Sequence, residues 1–162
     1  MRMRINELRQ AFEPAIRRFF HTYWRFSRGL TLGVRGVVID GQGRVFLVRH
    51  TYVAGWHLPG GGVERGETLL AALARELAEE GNIVIAEAPS LHGIFFNSRV
   101  SRRDHVAVFL VRGFRQEAAP QANHEILEHG FFDPDRLPDE ATPGTRRRIA
   151  EVFHGAPVSD RW

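Results

Sequence analysis

The sequence predicts one α+β domain preceded by an amphipathic helical extension, and three observations support this prediction. Apolar residues between Ile5 and Phe26 recur at three- and four-residue steps, which is the period of an α-helix. After this stripe the apolar pattern is typical of β-strands, and two later segments again have the spacing of a helix. A chain of 162 residues suits a single hydrophobic core. We therefore divide it into an extension over 1–29, a domain over 30–156 and a tail over 157–162.

Composition and charge exclude several classes of protein. Hydrophobic residues make up 43% of the chain and charged residues 25%, as in ordinary globular domains. Cysteine is absent, which excludes disulfides and thiolate chemistry. The 22 basic residues, all of them arginine, exceed the 19 acidic ones by a formal net charge of only +3. The apolar runs have the length of strands and no secretory signal is present, so we expect a cytoplasmic protein without a transmembrane segment.

The extension is predicted to contain a helix over residues 13–27. Pro14 falls in its first turn, where the missing N–H does no harm. Arginines lie between the apolar positions, which leaves three interpretations of this basic, amphipathic surface. The helix packs on the domain or on a second copy of the chain in a homodimer, it binds anionic lipid, or it contacts nucleic acid.

The domain is predicted to begin with a β-hairpin and to continue with alternating strands and helices. Turn residues over 40–43 separate the two strands of the hairpin, and a loop rich in glycine and proline follows. Thr142 and Pro143 provide the cap and the first turn of the last helix. In order, the predicted elements are a strand over 31–38, a strand over 44–48, a loop over 55–62, a helix over 68–80, strands over 91–96 and 105–114, an arginine-rich loop over 97–104, a short strand over 130–133 and a helix over 142–153.

The segment over 60–83, GGGVERGETLLAALARELAEEGNI, carries the chemistry. Its glycines permit close approach of the backbone to a ligand. The helix that follows places Glu76, Glu79 and Glu80 on one face within a single turn, where like charges repel. A hard divalent cation would offset this repulsion, because it prefers oxygen ligands. The alternative is a solvated acidic face with Arg75 as its partner.

The same segment resembles the Nudix box, the signature G-x5-E-x7-R-E-U-x-E-E-x-G-U, in which U is a bulky aliphatic residue. Gly61 stands at the first glycine, Glu67 six residues later, and Ile83 at the last aliphatic position. Between them the signature's arginine and acidic residues are matched by Arg75, Glu76, Glu79 and Glu80. The terminal glycine is replaced by Asn82. Because Asn tolerates the left-handed conformation that often ends a helix, we interpret this exchange as conservative.

The resemblance implies a Nudix-type α/β/α sandwich with a mixed β-sheet and hydrolysis of a nucleoside diphosphate linked to another moiety, with Mg²⁺ or Mn²⁺. It implies that Arg75 orients the carboxylates and that Gly61, Gly66 and Glu67 support the loop. It implies Glu76, Glu79 and Glu80 as metal ligands, assisted by the carbonyl of Gly60. The same three glutamates and Arg75 are the implied catalytic residues of the box. In this family the proton acceptor varies, and some members use a glutamate outside the box.

Two glutamates outside the box, Glu125 and Glu128, are candidates for that catalytic role, and surface carboxylates are the alternative for each. Arginines of the loop over 97–104 are candidates for phosphate binding or, alternatively, solvated loop residues; they are Arg99, Arg102 and Arg103. Trp56 is a candidate for stacking a base or for anchoring the loop in the core. The histidines near strand ends are weaker candidates for substrate contact than for packing; they are His50, His57 and His105.

We therefore predict a metal-dependent pyrophosphohydrolase that acts on a small-molecule nucleotide or nucleoside-diphosphate derivative by water attack at phosphorus. One alternative is an RNA 5′-end pyrophosphohydrolase, but a net charge of +3 argues against an extended basic groove and hence against a nucleic-acid partner. The other is a non-catalytic nucleotide-binding module. Loss of box carboxylates would indicate such a module, and all of them are present.

Overall fold

The computed structural model describes residues 29–120 and 125–162. The helix predicted over 13–27 lies outside the described residues. Among the described helices, none is both long and apolar enough to cross a membrane. The elements are β1 (Thr31–Val38), β2 (Val45–His50), β3 (Trp56–His57), α1 (Leu69–Gly81), β4 (Val84–Ile85), β5 (Ser90–Phe96), β6 (Asp104–Val111), β7 (Phe114–Arg115), β8 (Ile126–Phe132) and α2 (Pro143–His154).

The described strands form three small sheets. In the first, β6 lies between β1 and β5, parallel to β1 and antiparallel to β5, so this sheet is mixed. In the second, β2 lies antiparallel between β3 and β8. The two-residue strands β4 and β7 form the third. The predicted α+β class and the mixed sheet are confirmed.

The strands separate two hydrophobic cores, each of which is closed by one helix. On one face, Val34 and Val38 of β1 pack with Leu73 and Leu77 of α1. The intervening residue Val37 belongs to the other core, together with Leu47 of β2 and Ile149 of α2. This distribution follows from the two-residue alternation of side chains along a strand. The result is a helix–sheet–helix arrangement.

The prediction that β1 and β2 pair as a hairpin is wrong, although the turn between them forms. The turn forms, with the Asp40 carboxylate accepting hydrogen bonds from the N–H groups of Gln42 and Arg44, and Ile39 bridges Val45. The strands then diverge into different sheets. The loop after β3 occupies the edge of β1 that β2 would have used, and it includes the residues of the glycine-rich segment.

Other predicted strand boundaries also differ. The strand predicted over 105–114 ends at Val111, and Arg112 and Gly113 separate β6 from β7. The last strand begins at Ile126 instead of residue 130, since exposed polar residues such as Glu128 hide its pattern. The strands β3 and β4 were not predicted, because two residues carry no periodicity.

Both predicted helices in the described region are confirmed, as is the predicted N-terminal cap of the second; the cap of the first, Thr68, was not predicted. Thr68 accepts a hydrogen bond from the Ala71 N–H at 3.2 Å, and Thr142 caps α2 ahead of Pro143. At the C-terminus of α1, Asn82 adopts φ 50° and ψ 32°, and its N–H bonds to the Ala78 carbonyl. It is the one non-glycine residue with positive φ among those described. The conformation predicted for Asn82 is therefore observed.

Candidate functional site

The glycine-rich loop lies along the free edge of β1, where backbone hydrogen bonds fix it. Gly36 donates to the Pro59 carbonyl at 2.9 Å and Val34 donates to the Gly61 carbonyl at 2.8 Å. Gly60 has φ +134°, and a Cβ at this residue would stand 2.1 Å from the Val34 oxygen. Only glycine fits so close to the strand. The loop is thereby held at a defined position beside α1.

Glu80 connects α1 to this loop. Its side chain is buried, with the residue 5% exposed, and its Oε2 accepts a hydrogen bond of 2.7 Å from the Gly60 N–H. Burial raises the pKa of Glu80 to about 7, and the charges of Glu76 and Glu125 act in the same direction. The Gly60 hydrogen bond and the Arg35 charge oppose this rise. Glu80 is thus a buried carboxylate whose negative charge is incompletely compensated.

Glu76 packs against the same loop one turn earlier. A Cβ at Gly61 would stand only 2.4 Å from Glu76 Oε1, so the absence of a side chain at Gly61 creates the space for this carboxylate. The Arg75 guanidinium donates to Glu76 Oε1 at 2.8 Å. The two consecutive loop residues Gly60 and Gly61 therefore each accommodate one carboxylate of α1.

Arg75 joins the loop to the acidic face of α1. Its guanidinium forms a bidentate ion pair with the Glu67 carboxylate, with hydrogen bonds of 3.0 and 3.1 Å. It also donates to the Gly62 carbonyl at 3.1 Å. Hydrogen bonding from Arg75 lowers the pKa of Glu67, and the partnership with Glu67 and Glu76 raises the pKa of Arg75. These contacts are the ones that the predicted orienting role of Arg75 and supporting role of Glu67 require. Gly66, with φ +84°, forms the turn just before Glu67.

Glu79, the third carboxylate of the face, lies in a different environment. Its side chain is 59% exposed and its Oε2 stands 3.4 Å from Arg75. Within residues 29–120 and 125–162, no three acidic or histidine side chains are close enough to form a ready-made metal cluster. The three glutamates present oxygen atoms on one helix face, and oxygen is the ligand type that Mg²⁺ and Mn²⁺ prefer. Cation binding would require Glu79 to exchange its contact with Arg75.

Arg35, which the sequence reasoning missed, lies at the centre of the site. Its guanidinium donates to the Leu58 carbonyl at 3.0 Å and also to the carbonyl of Gly60, the atom predicted as a metal ligand. Desolvation lowers the pKa of Arg35, and the negative charges of Glu80 and Glu76 oppose that effect. An arginine inside the apolar strand pattern over 31–38 was the signal that could have revealed it.

His50 completes the buried side of the site. Its Nε2 stands 3.5 Å from Glu80 Oε1. Burial, followed by the nearby charges of Arg35 and His57, lowers the pKa of His50 to about 4. The imidazole is therefore neutral at pH 7, and its contact with Glu80 is not an ion pair.

The two candidate glutamates outside the box occupy different surroundings. Glu125 is close enough for its charge to raise the pKa of Glu80, and its backbone carbonyl accepts a hydrogen bond from the Thr51 N–H. Glu128 lies on β8 with its carboxylate 3.7 Å from Arg49, and it is 52% exposed. Of the two, Glu125 is the one that interacts electrostatically with the box.

A cleft of about 310 Å³ opens beside these groups. Its lining residues include Arg35, His50 and His57 at the site, and Arg99 from the loop after β5. Other described residues that line it include Tyr52, Arg147 and Trp162. Neither this cleft nor a separate cavity of about 490 Å³ near Asn82 and Arg115 has a box glutamate among its described lining residues. We associate the smaller cleft with the site because Arg35 and His50, which line it, contact Gly60 and Glu80.

Several predicted substrate-binding residues lie away from this cleft. Arg102 and Arg103 are exposed and are not among its described lining residues. Trp56 is buried in the second core with its ring edge-on to Phe132, at a centroid distance of 4.8 Å. His105 packs against the ring of Phe96. Three of the candidates outside the box do line the cleft: Arg99, His50 and His57.

Comparison with known proteins identifies the class. A model of the NUDIX domain matches residues 29–152, so the chain belongs to the NUDIX family. A MutT-like protein from Streptomyces ambofaciens is 37% identical over 126 residues, covering 78% of this chain and 79% of the relative. An ADP-ribose pyrophosphatase from Methanocaldococcus jannaschii is 31% identical over 106 residues, covering 62% and 61%.

Solved structures agree with the fold. The crystal structure of a MutT NUDIX hydrolase from Burkholderia pseudomallei superposes with a TM-score of 0.66 at 24% identity, covering 77% of this chain and 99% of the other. The resemblance to the Nudix family and the prediction of a Nudix pyrophosphohydrolase are confirmed. Members of this family typically use divalent metals and nucleotide-type substrates, in line with the predicted cofactor and partner classes.

Proposed function

We propose that this chain is a metal-dependent hydrolase that cleaves the pyrophosphate bond of a small nucleotide or nucleoside-diphosphate derivative by water attack at phosphorus. One observation carries the proposal. The buried Glu80 carboxylate, hydrogen-bonded to the Gly60 N–H, shares a helix face with Glu76 and Glu79 at the border of a cleft lined by arginine. Carboxylates alone would repel a phosphate, so this arrangement calls for a cation between them.

We assign Mg²⁺ or Mn²⁺ as that cation, with Glu76, Glu79, Glu80 and the Gly60 carbonyl as its ligands. The bound cation would neutralise charge on the phosphate oxygens and acidify the attacking water. Arg75 holds Glu76 and the loop in their relative positions through Glu67. Glu80 is fixed by the loop N–H, so its ligand oxygen is oriented before any cation arrives.

The proton of the attacking water requires an acceptor. Glu125 is the candidate that we favour over Glu128, because its charge acts on Glu80 whereas Glu128 is paired with Arg49. Arg35 and Arg99 would bind the anionic part of the substrate, because both line the cleft.

The names of the relatives narrow the candidate substrates. One relative is named an ADP-ribose pyrophosphatase and another MutT-like. We therefore place ADP-ribose and nucleoside triphosphates first among the substrates to be tested. Nucleotide sugars, dinucleotides and 5′-triphosphate RNA follow them.

A hydrolysis screen, in which the nucleotide products are separated by chromatography and quantified, tests the proposal. The panel is assayed with Mg²⁺, with Mn²⁺ and with EDTA, and Glu80→Gln serves as the blank because it removes a charge without removing volume. Glu117→Gln is the matched control, since it makes the same exchange at an exposed residue outside the box. We expect metal-dependent turnover by both the wild type and Glu117→Gln. The turnover of Glu80→Gln should be at least about 100-fold lower. Equal turnover in both variants would overturn the assignment.

A further inference from the structure

We propose that the segment over 157–162 forms part of the substrate cleft, and that the indole ring of Trp162 is the surface on which the base of the nucleotide stacks. This inference rests on the proposed function, because it assigns the non-phosphate end of the same substrate. It goes beyond the box, which accounts only for the phosphate end.

The segment is attached to the first sheet by backbone hydrogen bonds. The Phe96 N–H at the end of β5 donates to the Asp160 carbonyl at 2.9 Å, and the Trp162 N–H donates to the Phe96 carbonyl at 3.1 Å. Phe96 and Arg161 thereby form a parallel β-bridge. The chain around Trp162 thus follows the direction of β5 and is positioned by the rigid sheet.

A buried ion pair on α2 fixes the same segment a second time. Arg148 is fully buried, with its guanidinium 3.7 Å above the Phe95 ring and paired with Glu151. Arg148 donates to the Arg161 carbonyl at 3.1 Å, and Glu151 accepts from the Ser159 N–H at 3.0 Å. Both charged groups therefore use the segment to satisfy hydrogen bonds that burial would otherwise leave unmade. This dedicated network indicates that the segment is an integral part of the domain.

The Trp162 ring lies between the start of α2 and the cleft. A Cβ at Gly144 would stand 2.6 Å from the indole Nε1, so one side of the ring packs directly on the helix backbone. The Phe95 ring meets the indole edge-on at a centroid distance of 6.3 Å. Arg147 donates to the Trp162 carbonyl, and both residues line the cleft. Trp162 is therefore half-buried, with Gly144, Phe95 and the Arg148 guanidinium, 5.7 Å from the ring centroid, against its indole.

The lining of the cleft indicates the class of ligand. The cleft runs from Arg35 and His50, which contact Gly60 and Glu80, to Trp162. Its described lining includes three arginines and no acidic side chain, which favours an anionic ligand. An aromatic residue in the same lining favours a ligand with a planar group, because every nucleobase presents a π-face for stacking. A nucleotide with its diphosphate at the box and its base on Trp162 satisfies both conditions.

A matched pair of non-hydrolysable ligands tests this inference. Binding of α,β-methylene-ADP and of methylenediphosphonate is measured by titration calorimetry with Mg²⁺, for the wild type, Trp162→Phe and Trp162→Leu. Trp162→Leu keeps apolar bulk but removes the aromatic ring, so we expect it to weaken binding of the nucleotide at least about fivefold. Binding of methylenediphosphonate, which lacks a base, should stay within about twofold in every variant. Trp162→Phe should retain most of the nucleotide affinity.

Val158→Ala provides the control for the segment, because Val158 is 59% exposed and is not among the described lining residues of the cleft. Unchanged nucleotide affinity in Trp162→Leu would overturn the inference. Equal weakening of both ligands would also overturn it, since it would show that Trp162 acts only on the structure. Failure of the proposed function would look different: the wild type would bind nucleotide through Trp162 but hydrolyse no substrate.

Discussion

At the scale of single residues, the site depends on glycines that leave room for carboxylates. Gly61 faces Glu76 so closely that a methyl group would stand 2.4 Å from Oε1. Gly62, the next residue, has no atom within 4 Å of the corresponding position. These neighbours provide a test in which the same substitution is made in the same loop with different steric consequences.

We predict that Gly61→Ala lowers turnover at least about tenfold and destabilises the fold by about 1–3 kcal/mol, because the new methyl group displaces Glu76 or shifts the loop. Gly62→Ala should change the free energy of unfolding by less than about 0.5 kcal/mol and retain turnover. Denaturant unfolding and steady-state kinetics measure the two effects. Similar behaviour of the two variants would contradict the proposed contact between Gly61 and Glu76.

Glu80 gives the protein a stability that depends on pH. Its pKa in the folded protein is about 7, against 4.5 for an ordinary glutamate. Between these values the folded state binds more protons than the unfolded state, so this group's contribution falls as the pH rises from about 4.5 to 7 and then stays level. The loss is at most about 3 kcal/mol.

Glu80→Gln removes this titration. We therefore predict that in EDTA the free energy of unfolding of Glu80→Gln, relative to the wild type, increases between pH 4.5 and pH 8. Urea denaturation at both pH values measures the difference, and Mg²⁺ at pH 8 should stabilise the wild type more than the variant. A relative stability that is independent of pH would show that the Glu80 carboxylate has an ordinary pKa.

At the scale of elements, α1 ends in a left-handed residue that departs from the Nudix signature. Asn82 adopts φ 50°, a conformation that glycine takes freely, Asn tolerates and other side chains resist. We predict that Asn82→Gly keeps turnover within about twofold, whereas Asn82→Ala loses about 1 kcal/mol of stability. Thermal unfolding and kinetics separate the two variants. A large gain of activity in Asn82→Gly would mean that Asn82 has a functional role.

Helices were easier to predict than strand pairing, and particular residues show why. The caps Thr68 and Thr142 act on backbone groups a few residues away, so their signals are contained in the local sequence. The parallel pairing of β1 with β6 joins Thr31 to Asp104, which no local pattern records. The turn at Asp40 correctly indicated a reversal of the chain but not that the glycine loop would take the edge of β1.

At the scale of the whole molecule, the box residues could be predicted because their spacing is local and their chemistry is shared with a family. Arg35 and Trp162 were not predicted, because their positions depend on the fold, and an arginine within an apolar strand pattern is the one local signal that Arg35 leaves. Arg35 projects from β1 onto the Gly60 carbonyl, and Trp162 is positioned by pairing beyond β5 and by the buried Arg148. The same reasoning separates Glu125, which acts on Glu80, from Glu128, three residues away.

The central claim is that the acidic face of α1 and the glycine loop together form a divalent-cation site. The most direct test is a titration with Mn²⁺ in which electron paramagnetic resonance measures the free ion. It compares the wild type, Glu80→Gln and the Glu117→Gln control. We predict that the wild type and Glu117→Gln bind Mn²⁺ alike and that Glu80→Gln binds it at least about tenfold more weakly. Equal Mn²⁺ affinity in Glu80→Gln and the wild type would contradict the claim.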